Sequence, residues 1–244
     1  VTITSDKERA HLSGARVVAW DGPTRVFKWL LVLLVFDGWL SNSFGAGFPG
    51  WHKWNGYAVL VLIVFRLLWG FAGGSTSRFS AFVAGPAATF AYVRAQIAGR
   101  PLKYLGHNPL GAWMIVALLA AVTAQGLTGL YAADQDRLII EGPLAKTVAD
   151  AAVDFAARWH HRIFDAIEIL AVLHIAANVF YTFIKREPLI EAMVTGRKPE
   201  DDFVDMTTAN PGSWARAALC LFAAATLVFG AIALAGGSVL SLTF

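Results

Sequence analysis

The sequence predicts an all-α integral membrane protein with five transmembrane helices, the fifth at its C-terminal end. Three observations predict it. The 244-residue chain is 57% apolar and only 15% charged, where a soluble domain carries about 25% charged residues. Its apolar residues, seventeen Phe and nine Trp among them, gather into five stretches of spanning length. The fourth stretch, residues 159–183 (WHHRIFDAIEILAVLHIAANVFYTF), carries His160 near its start and His174 well inside.

These two histidines are fourteen residues apart. On a helix that separation is about 40° short of four full turns and about 21 Å along the axis, so both imidazoles share a face. His161 cannot replace His160, because its offset from His174 lies about 140° away. An imidazole deep in an apolar helix needs a partner, and two stacked on one face suggest two cofactors stacked across a membrane.

The other elements follow in order. Residues 1–23 form a polar arm with Lys7, Arg9, Arg16 and a solvated His11. The first twenty residues lack an apolar h-region, so no cleavable signal peptide is expected. Residues 26–44 form the first span, interrupted by Lys28 near its start and Asp37 near its middle, and the turn GAGFPG ends it. Residues 52–70 form the second span, with Arg66 inside it. In the connector 73–109, residues 87–98 read as an interfacial amphipathic helix. The turn GHNP opens the third span, 110–132, and a polar connector, 133–158, holds DQDR and EGP. After the fourth span, residues 185–211 are charged and 213–235 form an Ala-rich fifth span. Cys220 is the sole cysteine, which excludes a disulfide framework, a thiolate metal site and an iron–sulfur cluster.

Lys and Arg in the short loops set the orientation. The arm, the second connector (Arg78, Arg94, Arg100, Lys103) and the stretch after the fourth span (Lys185, Arg186, Arg197, Lys198) are basic. The N-terminus is therefore expected in the cytoplasm and the C-terminus in the periplasm of a bacterial inner membrane. His52 and His160 then lie at the outer side; His174, Lys28 and the GHNP turn lie toward the inner side. His52 opens the second span one turn before Gly56, a spacing suited to a flat macrocycle lying close to the backbone. Two neutral imidazoles from adjacent helices can ligate one haem iron axially. The competing reading makes both histidines interfacial side chains at helix starts.

The stretches WDGPTRVFKWLLVLL, WHKWNGYAVLVLIVFRLLWGF, RFSAFVAGP, GHNPLGAWM, TGLYA, WHHRIFDAIEILAVLHIAANVFY and VTGRKP run in order between Trp20 and Pro199. On them the chain resembles the bacterial cytochrome b561 family and its relatives, the cytochrome b subunits of nickel–iron hydrogenases. The resemblance implies a four-helix haem-binding bundle over residues 24–199 with two b-type haems (heme b). The outer haem iron would lie between His52 and His160. The inner one would lie between a first-span histidine and His174. The polar arm and the fifth span fall outside the match; residues 200–212 read as a charged linker, and 213–244 as the extra helix and its tail.

The sequence departs from the family pattern in one place. The family's first span reads Phe-His-Trp, and this chain has Phe27-Lys28-Trp29. Three readings stand. Lys28 ligates the inner iron as a neutral amine, at a cost of about 4–5 kcal/mol at pH 7 that burial and the Fe–N bond offset. Alternatively the inner haem is five-coordinate on His174 while Lys28 snorkels to the interface. In the third, the inner site is empty. Arg66, buried in the second span, suits a haem propionate. Asp165 and Glu168, like Asp37, read as water-facing acids or a proton route. The GHNP turn faces the inner haem. In related quinone-reactive cytochromes the quinone docks near this region, which suggests hydrogen bonds from His107 and Asn108; Asn-Pro is also a routine helix-start turn.

The resulting function is a membrane electron-transfer subunit between the quinone pool and a periplasmic redox protein, either a c-type cytochrome or a hydrogenase-like subunit. The alternative is a non-catalytic anchor with one haem or none. A third reading is an ion pathway built on the intramembrane acids. The partners expected are the bilayer and these redox proteins, with no nucleic acid; the fifth span's small residues suggest a helix-packing face for a complex or oligomer.

Overall fold

The computed structural model describes residues 15–44, 49–133 and 141–239. Lys7, Arg9 and His11 of the arm, most of the GAGFPG turn and the DQDR stretch lie outside the described residues. In order, the elements are β1 (Arg16–Val18), α1 (Gly22–Phe44), α2 (Pro49–Ala72), the one-turn α3 (Phe79–Phe82), α4 (Pro86–Ile97) and α5 (Pro109–Tyr131). There follow α6 (Asp150–Val179), which runs into a π-helical turn (Phe180–Ile184), α7 (Leu189–Thr195), β2 (Arg197–Pro199) and α8 (Trp214–Leu234).

Local chemistry accounts for the helix starts. Asp21 caps α1, its Oδ1 accepting the Thr24 N–H at 2.7 Å, and Pro23 fits the first turn. Asn108 caps α5 by accepting the Gly111 N–H at 2.8 Å, with Pro109 as the first helical residue. Ser213 accepts the Arg216 N–H at the start of α8. Helix α7 ends on Gly196 at φ 78°, a left-handed conformation that glycine adopts without a Cβ penalty.

Among the described residues, four helices are long and apolar enough to cross a membrane: Gly50–Ala72, Pro109–Tyr131, Asp150–Ile184 and Trp214–Leu234. Helix α1 has 23 residues, the length of a span, but Arg25, Lys28 and Asp37 dilute its apolar character and it does not join these four. Helix α6 corrects one boundary. It begins at Asp150, inside what reads as a polar connector, because DAAVDFAAR combines an acidic first turn with good helix formers and buries Val153 and Ala156. His160 is therefore well inside its helix and not at the start. Helix α4 coincides with the expected interfacial helix; Phe90 and Ile97, seven residues apart and so about 20° from one another, are exposed, while Tyr92 is buried.

The chain divides into two compact units. The first comprises Val1–Val26, Trp69–Val116 and Leu173–Ala217, and so gathers Arg16 with the basic residues of the second connector and of the stretch after the fourth span. Its core is Ala19, Trp20, Leu105, Ala192 and Ala209. β1 pairs antiparallel with β2, Val17 opposite Lys198, so part of the polar arm and the VTGRKP stretch form one ribbon. Asp21 accepts hydrogen bonds from Gly74 N–H and Ser77 Oγ as well as from Thr24. Asp205 holds the Leu105 and Gly106 amides at 2.7 and 2.9 Å. Lys198 is buried and donates to the Tyr104 carbonyl at 2.8 Å; burial pushes its pKa down and that of Glu187 up.

The second unit comprises Phe27–Leu68, Ala117–Val172 and Ala218–Phe244. Its core is Tyr57, Leu60, Leu144, Val228 and Ile232. Helix α8 thus packs against α2 along its buried Ala224–Val228–Ile232 side, while Leu219, Phe222, Leu227 and Leu234 remain exposed.

Candidate haem site

Two imidazoles meet within the second unit. His52 lies in the first turn of α2 and His160 ten residues into α6. Their ring centres are 6.2 Å apart and their planes are at 79°. Beside them is a cavity of about 640 Å³, lined by Gly38 and Trp39 of α1, His52, Asn55 and Gly56 of α2, Gln125, Gly126 and Gly129 of α5, and His160, His161, Asp165 and Glu168 of α6.

Each ring is held through Nδ1. Ser41 Oγ lies 3.0 Å from His52 Nδ1 and donates to the Gly38 carbonyl at 3.1 Å. His160 Nδ1 is 3.0 Å from the Gln125 carbonyl oxygen, with Thr128 Oγ1 at 3.3 Å. An Nδ1–H given to such acceptors leaves Nε2 with the lone pair that a metal takes. The Gln125 side-chain amide donates to that nitrogen on His160 at 3.0 Å. Gly129 permits the approach of α5, since a Cβ there would stand 2.9 Å from His160 Cε1. Ser41 and Gln125 escaped sequence reasoning, since no motif marks them, and Thr128 and Gly129 were read only as part of the TGLYA stretch, without a role; the packing of α1 on α2 and of α5 on α6 brings all four to the rings.

The sequence profile of the prokaryotic cytochrome b561 family matches residues 19–196. The chain belongs to this family. Among its relatives, a probable Ni/Fe-hydrogenase B-type cytochrome subunit of Rhodobacter capsulatus is 24% identical over 83% of this chain and 91% of the relative. One of the same description from Cupriavidus necator is 23% identical over 82% of this chain and 95% of the relative. No solved structure matches. Membership makes the chain a membrane b-type cytochrome, a carrier of electrons that uses haem b.

The second unit fits such a group. Its two imidazoles come from different helices and meet with their ring centres 6.2 Å apart. The position a Cβ would occupy on Gly56, one turn from His52, has no atom within 4 Å. On the cavity wall, Asn55 Oδ1 and Gln125 Oε1 are buried without a hydrogen-bond partner among the described residues. When bound, a bis-imidazole haem supplies reversible one-electron chemistry. His52 and His160 would hold its iron, and Gly56 of α2 leaves it room.

The other candidates are placed differently. Lys28 is half-buried on α1, in the second unit, while His174 belongs to the first. His174 Nε2 accepts from Asn178 Nδ2 at 3.2 Å, one turn along its own helix. Arg66 is 3% exposed and does not line the cavity beside His52. His107 is stacked between Trp20 and Phe82, at 4.7 and 4.8 Å between ring centres, and Asn108 Oδ1 is engaged in its helix cap. Of the intramembrane acids, Asp165 and Glu168 line the cavity, and Asp37 accepts the Trp51 indole N–H at 2.8 Å. Arg162 sits over the Trp159 ring, 5.8 Å from its centre.

Proposed function

We propose that the protein is the membrane electron-transfer subunit of a periplasmic redox complex, exchanging electrons with the quinone pool at the inner side. The single observation that carries this reading is the His52–His160 pair at 6.2 Å, beside a cavity in a chain of cytochrome b561 sequence. His52 and His160 bind the outer haem iron. His174 and Lys28 bind the inner one, Arg66 answers a propionate, and His107 and Asn108 border the quinone. Residues 24–199 form the cytochrome domain, in which α1 completes four spans despite its charges; 1–23 is a cytoplasmic arm, 200–212 a linker, and 213–244 a fifth span ending in the periplasm. The grouping of Arg16 with the other two basic segments in one unit supports that orientation. The relatives' description as hydrogenase subunits supports a hydrogenase-like partner ahead of a c-type cytochrome, and the exposed apolar side of α8 suits a neighbouring membrane helix.

Purified protein should show reduced b-type bands and a pyridine haemochrome of two haems per chain. No haem would sink the reading. One haem per chain would instead support the anchor that keeps only the outer site, a reading that Lys28 in the family's histidine position favours.

A further inference from the structure

We infer that Ser41 is a positioning residue for the outer haem: its hydroxyl fixes the tautomer and ring orientation of His52. The inference rests on the haem reading above. Ser41 is on α1, a helix that contributes no iron ligand to this site. Its Oγ is 3.1 Å from the Gly38 carbonyl, three residues back on its own helix, and 3.0 Å from His52 Nδ1. A hydroxyl has one proton and two lone pairs. A carbonyl oxygen only accepts, so the Ser41 proton goes to Gly38, and what remains toward His52 is a lone pair. The imidazole must then carry its proton on Nδ1 and present Nε2 unprotonated, the form that ligates a metal. The back-bond to Gly38 also restricts the serine rotamer, so the acceptor is fixed before the imidazole meets it.

The partner ring solves the same problem differently. His160 Nδ1 leans on the backbone carbonyl of Gln125, which no substitution removes. The Gly38 backbone also hydrogen-bonds the His52 ring, but of the two groups holding it only the Ser41 hydroxyl can be removed by substitution, and that makes the two axial ligands separable by mutation. A ligand N–H that donates to an acceptor makes the imidazole more electron-rich and favours ferric iron. Loss of the Ser41 hydroxyl therefore raises the midpoint potential of one haem.

The test uses the full chain, purified with its haem, as wild type, Ser41→Ala, Ser41→Thr and the nearly isosteric Ser41→Val. Redox titration and low-temperature EPR of the low-spin ferric haems are read together with haem content. Ser41→Ala and Ser41→Val should raise one midpoint, by up to about tenfold in the ferric-to-ferrous ratio at fixed potential, or 59 mV for one electron. They should also move the largest g value of one low-spin signal, while Ser41→Thr stays at wild type. Unchanged midpoints and g values in Ser41→Ala and Ser41→Val at full haem content overturn the assignment alone. A wild-type protein without haem overturns the parent reading and the assignment with it. If Ser41→Ala does not accumulate, the Thr and Val pair decides: an equal shift in both overturns the assignment, and a shift in Val alone supports it.

Discussion

The two histidines of α6 lie on one helix face but have unlike surroundings. His160 receives groups from two other segments of the second unit: the Gln125 carbonyl and amide and the Thr128 hydroxyl from α5, and the His52 ring from α2, itself held by Ser41 of α1. His174 Nε2 meets Asn178 Nδ2 of its own helix at 3.2 Å. An i, i+4 amide arises from helix geometry alone, whereas convergence of separate elements on one ring requires the tertiary fold. The His52–His160 pair shows that convergence.

Removing either outer ring is the sharpest way to break the contrast. His52→Ala and His160→Ala should each abolish one low-spin haem and lower the haemochrome ratio by one per chain, while His174→Ala should affect the other signal. Loss of the same signal in all three variants would show that the two histidines do not serve separate sites.

Filling the space beside His160 comes next. Gly129→Ala puts a Cβ 2.9 Å from the ring carbon, an overpacking of about 1–3 kcal/mol. Outer haem content or its thermal retention should fall, and Gly56→Ala, whose Cβ meets no protein atom within 4 Å, should reduce haem retention without lowering the stability of the haem-free protein. Equal behaviour of the two variants in both assays would refute the macrocycle's place over Gly56.

Lys28 sharpens the inner side of the comparison. Lys28→His should give the inner haem a second imidazole and a new bis-histidine low-spin signal, and Lys28→Ala should change only that haem. Spectra indistinguishable from wild type in Lys28→Ala would remove lysine from the ligand set.

The smallest effect concerns pH, away from both histidines. Burial raises the Glu187 carboxyl's pKa above its ordinary value of 4.5, and Asp201 adds to the rise; Lys198, Lys103 and Lys185 oppose it. The folded chain then holds the Glu187 proton where the unfolded chain has released it. The contribution of Glu187 to stability is greatest below about 4.5 and declines as pH rises from there through the folded value. Glu187→Gln should flatten that decline, seen as a thermal midpoint that changes less between acid and neutral pH than that of wild type. A slope identical to wild type would assign the pH dependence to other groups.

Spans, histidine spacing and charge were legible because each is local. Hydropathy over a span-length window reports a helix in lipid, the fourteen-residue step between His160 and His174 is fixed by helix pitch, and the His52–Gly56 step puts a gap one turn from a ring. The start of α6 at Asp150 was obscured because its first turns are polar enough to pass for a loop. The hold on the rings was not legible at all. Ser41 is eleven residues from His52, across a turn, and Gln125 is thirty-five from His160; nothing in residue type distinguishes them from other Ser and Gln in the chain. By itself the sequence determined a helical membrane protein, and through the order of its motifs a resemblance to one family, because composition, periodicity and motifs act within one segment. Only the tertiary structure decided which imidazoles face each other and which atoms fix their protons, because those depend on distances between segments that sequence spacing does not set.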